Sequence, residues 1–233
     1  MSTTLAFDVY GTLIDTRGVV AALREMVGEK ADAFSQAWRD KQLEYAFRRG
    51  LMQNYVDFAV CTQQALEYTC ASFAADLSDQ QKQDLLEIYR RLPAFADAKQ
   101  GLMRLQQNED FRLYAFSNGA KAAVTALLDA AKISDYFVDV VSVDDLRSFK
   151  PNPAVYSHFL RSSGAAGGDA WLISSNPFDV IGAISAGMRG AWIQRSREAI
   201  FDPWEIEPTI SLNSLVDLSR RITDFRSGLL AGK

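Results

Sequence analysis

Hydrophobic and polar positions along this 233-residue chain change rhythm twice. Leu5-Ala-Phe-Asp-Val-Tyr10 is an apolar run interrupted only by Asp8, and Gly11-Thr12 breaks it, which predicts a first strand over 5–10 that delivers Asp8 near its carboxyl end. From about residue 16 to 95 helical spacing takes over, and the segments Val19–Glu29, Asp32–Gly50, Asn54–Phe73 and Ser78–Arg91 read as helices with no strand between them. Ser78-Asp-Gln-Gln81 has the form of a capping box opening the last of these.

After Pro93-Ala-Phe-Ala-Asp97, a return linker, helix and strand alternate. Ala98–Gln107 reads as helix, Phe111–Phe116 as strand, 120–131 as helix, and a strand lies within 136–143. Pro153 sits where a helix opens behind Asn152 as cap; Ala170–Ile173 is a strand, Val180–Gly187 a helix of small residues, and Gly190–Gln194 the last core strand. Residues 211–225 read as a closing helix and 226–233 as a disordered tail. Alternation of this kind predicts an α/β fold with a Rossmann-like, doubly wound parallel sheet. The long helical block after the first strand is read as an inserted cap domain over 16–95, with the core formed by 1–15 and 96–233.

Composition narrows the function classes. Hydrophobic residues make up 48% and charged residues 23%, an ordinary globular balance, and the net charge of −4 offers nothing to a nucleic acid. No apolar run approaches the roughly 20 residues of a membrane span, and the first strand follows Met-Ser-Thr-Thr without a signal peptide, so the expected compartment is the cytoplasm. Cys61 and Cys70, nine residues apart on one helix, would lie on opposite faces roughly 13 Å apart and cannot bridge. A single histidine, His158, leaves little scope for a histidine-based metal site or triad and is read as decorating a helix.

Polar side chains at the predicted strand ends carry the candidate chemistry. A carboxylate at the carboxyl end of a parallel strand stands where α/β sheets bind ligands, and Asp8 is such a carboxylate. Thr12, in the following turn, can hydrogen-bond back to Asp8 or to the loop. Ser117-Asn118-Gly119 ends the second strand beside a helix N-terminus, where backbone N–H groups favour anions, although a simple turn and cap would look the same. Pro151 biases Lys150 towards extended backbone just ahead of the helix at Pro153. Ser174-Ser-Asn-Pro-Phe-Asp179 follows the fourth strand.

Asp8-x-Tyr10-Gly-Thr-Leu13 resembles the nucleophile motif of the haloacid dehalogenase superfamily, and Ser117, Lys150 and Asp179 follow in the superfamily's order over nearly the whole chain. Phosphatases of that superfamily carry a second Asp two residues after the nucleophile, as acid/base, and another that helps to hold Mg²⁺; here those positions are Tyr10 and Ser175. Tyr10 together with Ser174-Ser-Asn176 resembles the L-2-haloacid dehalogenases, as does Trp38-Arg-Asp-Lys-Gln-Leu-Glu-Tyr45.

That resemblance implies a metal-independent, cofactor-free hydrolase. Asp8 would displace halide from C2 of a short 2-haloacid, with inversion, and water would hydrolyse the aspartyl ester. It implies further that Lys150 keeps Asp8 ionised and oriented, that Ser117 and the loop N–H groups near Val9 and Tyr10 bind the substrate carboxylate, and that Arg39, Asn118 and Phe178 form a halide cradle. Asp179, supported by Ser174 and Asn176, would handle the hydrolytic water, with Thr12 and Tyr156 as supporting contacts. Leu51, Met52, Tyr55 and Phe58 suit either a cap–core cleft or plain helix packing. Homodimerisation through cap helices is a further implication. Val9, in place of the usual alanine, and Pro177, where small residues are common, depart from the pattern. The readings set against it are a Mg²⁺-dependent phosphatase of the same fold and a catalytically silent binding protein.

Overall fold

The computed structural model describes residues 2–228. A six-stranded, all-parallel sheet in the order β3-β2-β1-β4-β5-β6 forms its centre. The strands are β1 (Thr3–Asp8), β2 (Phe111–Ser117), β3 (Asp139–Ser142), β4 (Ala170–Ser174), β5 (Arg189–Ile193) and β6 (Ile210–Leu212). The strand order reverses beside β1, and parallel α/β sheets open a ligand crevice at that switch point.

Alternation along β1 sorts the two faces. Leu5 and Phe7 point into a large cluster with Leu102 and Leu105 of helix α5 (Ala98–Gln106), Leu127 of α6 (Lys121–Ala130) and Ile222 of α9 (Leu218–Arg226). Ala6 points the other way, into a second cluster with Tyr156 and Phe159 of α7 (Pro153–Ser163) and Ala183 of α8 (Pro177–Ser185). Both faces of β1 are therefore covered, and its residues are buried throughout.

Four helices lie between β1 and α5: α1 (Val20–Val27), α2 (Ala31–Met52), α3 (Phe58–Ser72) and α4 (Asp79–Tyr89). On α2 the buried positions Phe34, Ser35, Trp38, Gln42 and Ala46 recur at helical spacing and form one stripe, which packs along α3. The predicted capping box of α4 is present: Gln81 N–H donates to Ser78 Oγ at 3.2 Å, and Ser78 N–H to Gln81 Oε1 at 2.9 Å. The chain leaves the sheet and returns to it side by side. Asp15 N–H donates to the Pro93 carbonyl at 2.8 Å, and Phe95 N–H to that of Leu13 at 2.9 Å.

Three expectations need correction. The first strand ends at Asp8, because three N–H groups, of Thr12, Leu13 and Ile14, turn back onto the Val9 carbonyl and Gly11 adopts a positive φ of 85°. The sheet continues past Gln194 to β6, Ile210–Leu212, so the chain is still strand at 211, where the closing helix was expected to begin. Helix α8 begins at Pro177, three residues early, since a proline at the first helical position carries a preset φ and needs no N–H partner. At the other end, Arg226 closes α9, and the expectation for 229–233 lies outside the described residues. Cys61 and Cys70 lie on α3, both buried and free. His158 lies on α7, 3.6 Å from Asp145. Among the described residues, no helix is long and apolar enough to cross a membrane.

Candidate active site

Parallel register sets the carboxyl ends of the strands in one row. Asp8 pairs with Phe116, Ser117 with Ser142, and Ser174 ends β4 on the other side of β1. Asp8 is the centre of this row, and its two carboxylate oxygens have different surroundings. Oδ2 accepts three hydrogen bonds, from Thr12 Oγ1 at 2.9 Å, Ser174 Oγ at 3.0 Å and Asn176 Nδ2 at 2.7 Å. Oδ1 accepts from Lys150 Nζ at 3.2 Å.

Lys150 is 2% exposed, and its ammonium is placed by three acceptors. It donates to Asp8, to the Phe116 carbonyl at 2.9 Å and to Asp179 Oδ2 at 2.8 Å, above the face of the Phe116 ring. A buried ammonium has a large desolvation cost, and two carboxylates with a carbonyl offset it. The Lys150 backbone is held as well, since its N–H donates to Asn118 Oδ1 at 2.9 Å.

Asp179 is fully buried in the first turn of α8. Its Oδ1 accepts from Tyr156 Oη at 2.8 Å. Burial pushes its carboxyl up, to about 6, against the pull of Lys150. The Tyr156 hydroxyl reaches Asp179 because α8 carries Gly182 there: a Cβ at that position would stand 2.5 Å from the Tyr156 oxygen. Burial and the facing carboxylate hold the Tyr156 proton on well above the usual phenol range, so it is a donor.

The side chains of Ser174 and Asn176 both donate to Asp8; Asp179 is held through its N–H, which donates to the Asn176 carbonyl at 3.1 Å, and through its carboxylate by Lys150 and Tyr156. Asn176 also ties its own loop, with its N–H donating to Ser174 Oγ at 3.0 Å. Ser175, beside it, donates to the Gly11 carbonyl at 2.7 Å, while its N–H donates to Thr12 Oγ1 at 2.8 Å. Ser117 is buried at the end of β2 and accepts from Gly119 N–H at 3.1 Å.

The helices α2–α4 supply the opposite side. Arg39 Nη2 donates to the Tyr10 carbonyl at 3.2 Å, so the guanidinium reaches the loop that follows the candidate nucleophile. The Tyr10 ring stacks on Tyr89 with centroids 6.0 Å apart and meets Phe58 at 5.8 Å. Phe58 faces Phe149 at 6.2 Å, and Phe149 faces Tyr55 at 5.1 Å. Phe178 meets Phe47 edge to face at 4.9 Å. Tyr10 keeps its proton, held above the usual phenol range by burial.

All thirteen candidate residues are thereby located: Asp8, Thr12, Lys150, Ser174, Asn176, Tyr156 and Asp179 form one hydrogen-bonded network, Val9 shapes the turn, Asn118 touches the network through the Lys150 backbone, and Ser117 lies at the neighbouring strand end. Arg39 and Tyr10 close the opposite side, and Phe178 lies beside Asp179 against Phe47. Sequence reasoning missed Gln42, Thr62 and Tyr89, which hold Arg39 from behind, and Arg195, whose guanidinium donates to the Thr12 carbonyl while pairing with Asp97 at 2.7 Å. Gln42 offered one signal, a polar residue three positions after Arg39 on the same helix face.

A carboxylate at a strand end, a buried ammonium beside it and a second carboxylate behind the ammonium form one cluster at the switch point of the sheet. The chain belongs to the haloacid dehalogenase-like hydrolases, whose family model matches residues 3–187. Among its relatives is an (S)-2-haloacid dehalogenase of Pseudomonas putida, 34% identical over 215 residues that cover 92% of this chain and 94% of the relative. A haloacetate dehalogenase of Moraxella sp. (strain B) is 36% identical over 191 residues, 82% of this chain and 85% of the relative. The fold matches the L-2-haloacid dehalogenase of Xanthobacter autotrophicus with chloropropionic acid covalently bound, with a TM-score of 0.88 and 31% identity over 96% of this chain and 99% of that one.

Proposed function

We propose that the chain is an (S)-2-haloacid dehalogenase, hydrolysing short L-2-haloalkanoic acids to D-2-hydroxy acids through an ester on Asp8. The observation that carries this reading is the unequal distribution of donors on the Asp8 carboxylate, taken with relatives of that activity over most of the chain. Oδ1, with Lys150 as its single side-chain donor among the described residues, keeps lone-pair density for attack on C2. The C2–halogen bond breaks as the C2–O bond forms, and halide leaves with the bonding pair. Halide is a weak base, so no acid is needed at position 10, where Tyr10 holds its proton.

In the second half-reaction water adds to the ester carbonyl carbon of Asp8. Negative charge then develops on Oδ2, where Thr12, Ser174 and Asn176 already donate, so these three act as an oxyanion hole. Asp179 takes the proton from water, and that proton reaches the departing 2-hydroxy oxygen as the Cγ–O bond breaks. Lys150 keeps Asp8 ionised before attack. Arg39, Asn118 and Phe178 receive the halide, and Ser117 with the loop after Asp8 receives the substrate carboxylate. The reaction needs no cofactor.

The helical segment 16–95 serves as a cap domain over a core of 1–15 and 96–233, excluding bulk water from the ester. Leu51 and Met52, 88% and 63% exposed near the end of α2, offer an apolar face for pairing as a homodimer, which light scattering would read as a doubled mass. Free buried thiols suit a reducing, cytoplasmic setting.

Halide release from L- and D-2-chloropropionate in the presence of EDTA tests the reading. Release from the L isomer alone is expected; release from neither isomer overturns it.

A further inference from the structure

Gln42 is a fully buried amide on α2, and the proposed chemistry gives it no part of its own. Its surroundings are specific. Oε1 accepts from Arg39 Nη1 at 2.6 Å and from Tyr89 Oη at 3.1 Å. Nε2 donates to Thr62 Oγ1, which in turn donates to the Phe58 carbonyl at 2.9 Å. One side chain thus joins α2, α3 and α4. The same helices are already packed by Trp38, whose ring meets Tyr89 at a tilt with centroids 5.1 Å apart and which donates to the Thr62 carbonyl at 2.8 Å. An apolar residue at position 42 would serve that packing as well, and a buried amide is worth its desolvation only where it is fully paired.

From the geometry we infer that Gln42, oriented by Tyr89 and Thr62, is a positioning residue that sets the Arg39 guanidinium against the nucleophile loop. Arginine has five N–H donors in a planar fork, and holding two acceptors at fixed points fixes the plane. Here the two points are Gln42 Oε1 on Nη1 and the Tyr10 carbonyl on Nη2. The Tyr89 hydroxyl stands against the same guanidinium, and the plane set by these contacts decides where its remaining N–H groups point. The inference rests on the proposed reaction, in which Arg39 meets the departing halide. The guanidinium then gains most as charge builds on the leaving atom, so its placement matters more for chloride, the poorer leaving group, than for bromide.

Single-turnover halide release from L-2-chloropropionate and L-2-bromopropionate, with enzyme in excess, reads this directly. Gln42→Leu is expected to slow chloride release about 100-fold, the scale of a misplaced catalytic group, and bromide release several-fold less. The bromide-to-chloride ratio therefore rises. Tyr89→Phe keeps the ring stack on Tyr10 and removes a hydroxyl that touches both Gln42 and Arg39; it is expected to raise the ratio about threefold, the scale of one hydrogen bond. Should Gln42→Leu not fold, Tyr89→Phe decides alone. Equal slowing of both substrates, or an unchanged ratio in Tyr89→Phe, overturns the inference and leaves the reaction standing, since packing damage lowers both rates alike. A wild-type enzyme that releases neither halide overturns the reaction and the inference with it.

Discussion

The two sides of the site are built in opposite ways. On the sheet side, Asp8 is held by polar groups from β4 and its loop, from the turn after β1 and from the loop before α7, so that its carboxylate has four side-chain donors. On the helical side Arg39 faces the loop after Asp8, backed by Gln42, amid ring contacts: Tyr10 with Tyr89, Phe58 with Phe149, Phe178 with Phe47. Hydrogen bonds fix position within tenths of an ångström, whereas ring contacts permit sliding at small cost. The sheet side is therefore suited to set the reaction, and the helical side to set what fits and how the leaving atom is received.

The largest test of that contrast is Asp8→Asn. It keeps the donors around position 8 nearly isosteric and removes the nucleophile, so steady halide release should fall about 10⁴-fold or more, as when a covalent nucleophile is lost. Retained activity over many turnovers would show that the sheet side does not carry the chemistry. Single turnover in ¹⁸O-water sharpens the point: the first product should carry no label, because its new oxygen comes from Asp8, and the label should appear on Asp8 itself.

Arg39→Lys comes next. An ammonium is a point charge that cannot hold the Gln42 amide and the Tyr10 carbonyl in one plane. We expect single-turnover chloride release about 10- to 100-fold slower, with a melting temperature close to wild type, since Arg39 is only half-buried. A loss as large as that of Asp8→Asn would place essential chemistry on the helical side and break the contrast.

Much of the sheet side was legible in the sequence because each of its polar residues sits at a point where an apolar run stops: Asp8 before Gly11, Ser117 before Asn118-Gly119, Ser174 before Pro177. A strand in a buried parallel sheet is nearly all apolar, so a polar residue at its end stands out. Other parts left no such mark. Ile210-Ser-Leu212 is too short to display a period of two, and it is a strand only because β5 lies beside it. Ser174-Ser-Asn-Pro reads as turn until the first turn of α8 is seen to start at Pro177, which puts Phe178 and Asp179 on helix. Gln42 sits among charged residues on α2 and looks solvated; its burial depends on Thr62 and Tyr89 from two other helices. The side-chain directions of Ser174 and Asn176 were hidden for a related reason, since sequence order puts them near Asp179 and the fold turns their side chains towards Asp8.

A tenfold effect per pH unit is expected from Asp179. In the proposed hydrolysis it accepts the water proton and must be ionised, and burial raises its carboxyl to about 6. The rate of ester hydrolysis should fall tenfold per unit as pH drops below about 6 and level off above it. Stability runs the other way. A carboxylate whose pKa is higher in the folded protein than in the unfolded chain favours folding most when protonated, so its contribution is greatest below about 4 and declines as pH rises through 6. Melting temperatures and pre-steady-state hydrolysis rates measured on one pH series would test both signs together. A hydrolysis rate flat between pH 5 and 7 would remove Asp179 as the proton acceptor.

The smallest effect belongs to Ser78→Ala, which removes the side-chain half of the capping box at the start of α4. Losing such a cap costs about 1 kcal/mol of stability. Tyr89, the residue of α4 that reaches Gln42, stands at the opposite end of the helix, three turns away and packed against Trp38 and Tyr10. Fraying at Ser78 is confined to the first turn and should not move Tyr89, so the melting temperature should drop by a few degrees with the bromide-to-chloride ratio unchanged. A ratio that moved with this remote cap would mean that the helical side responds as one loosely held body. Arg39 would then be placed by the packing of whole helices and not by its own two acceptors.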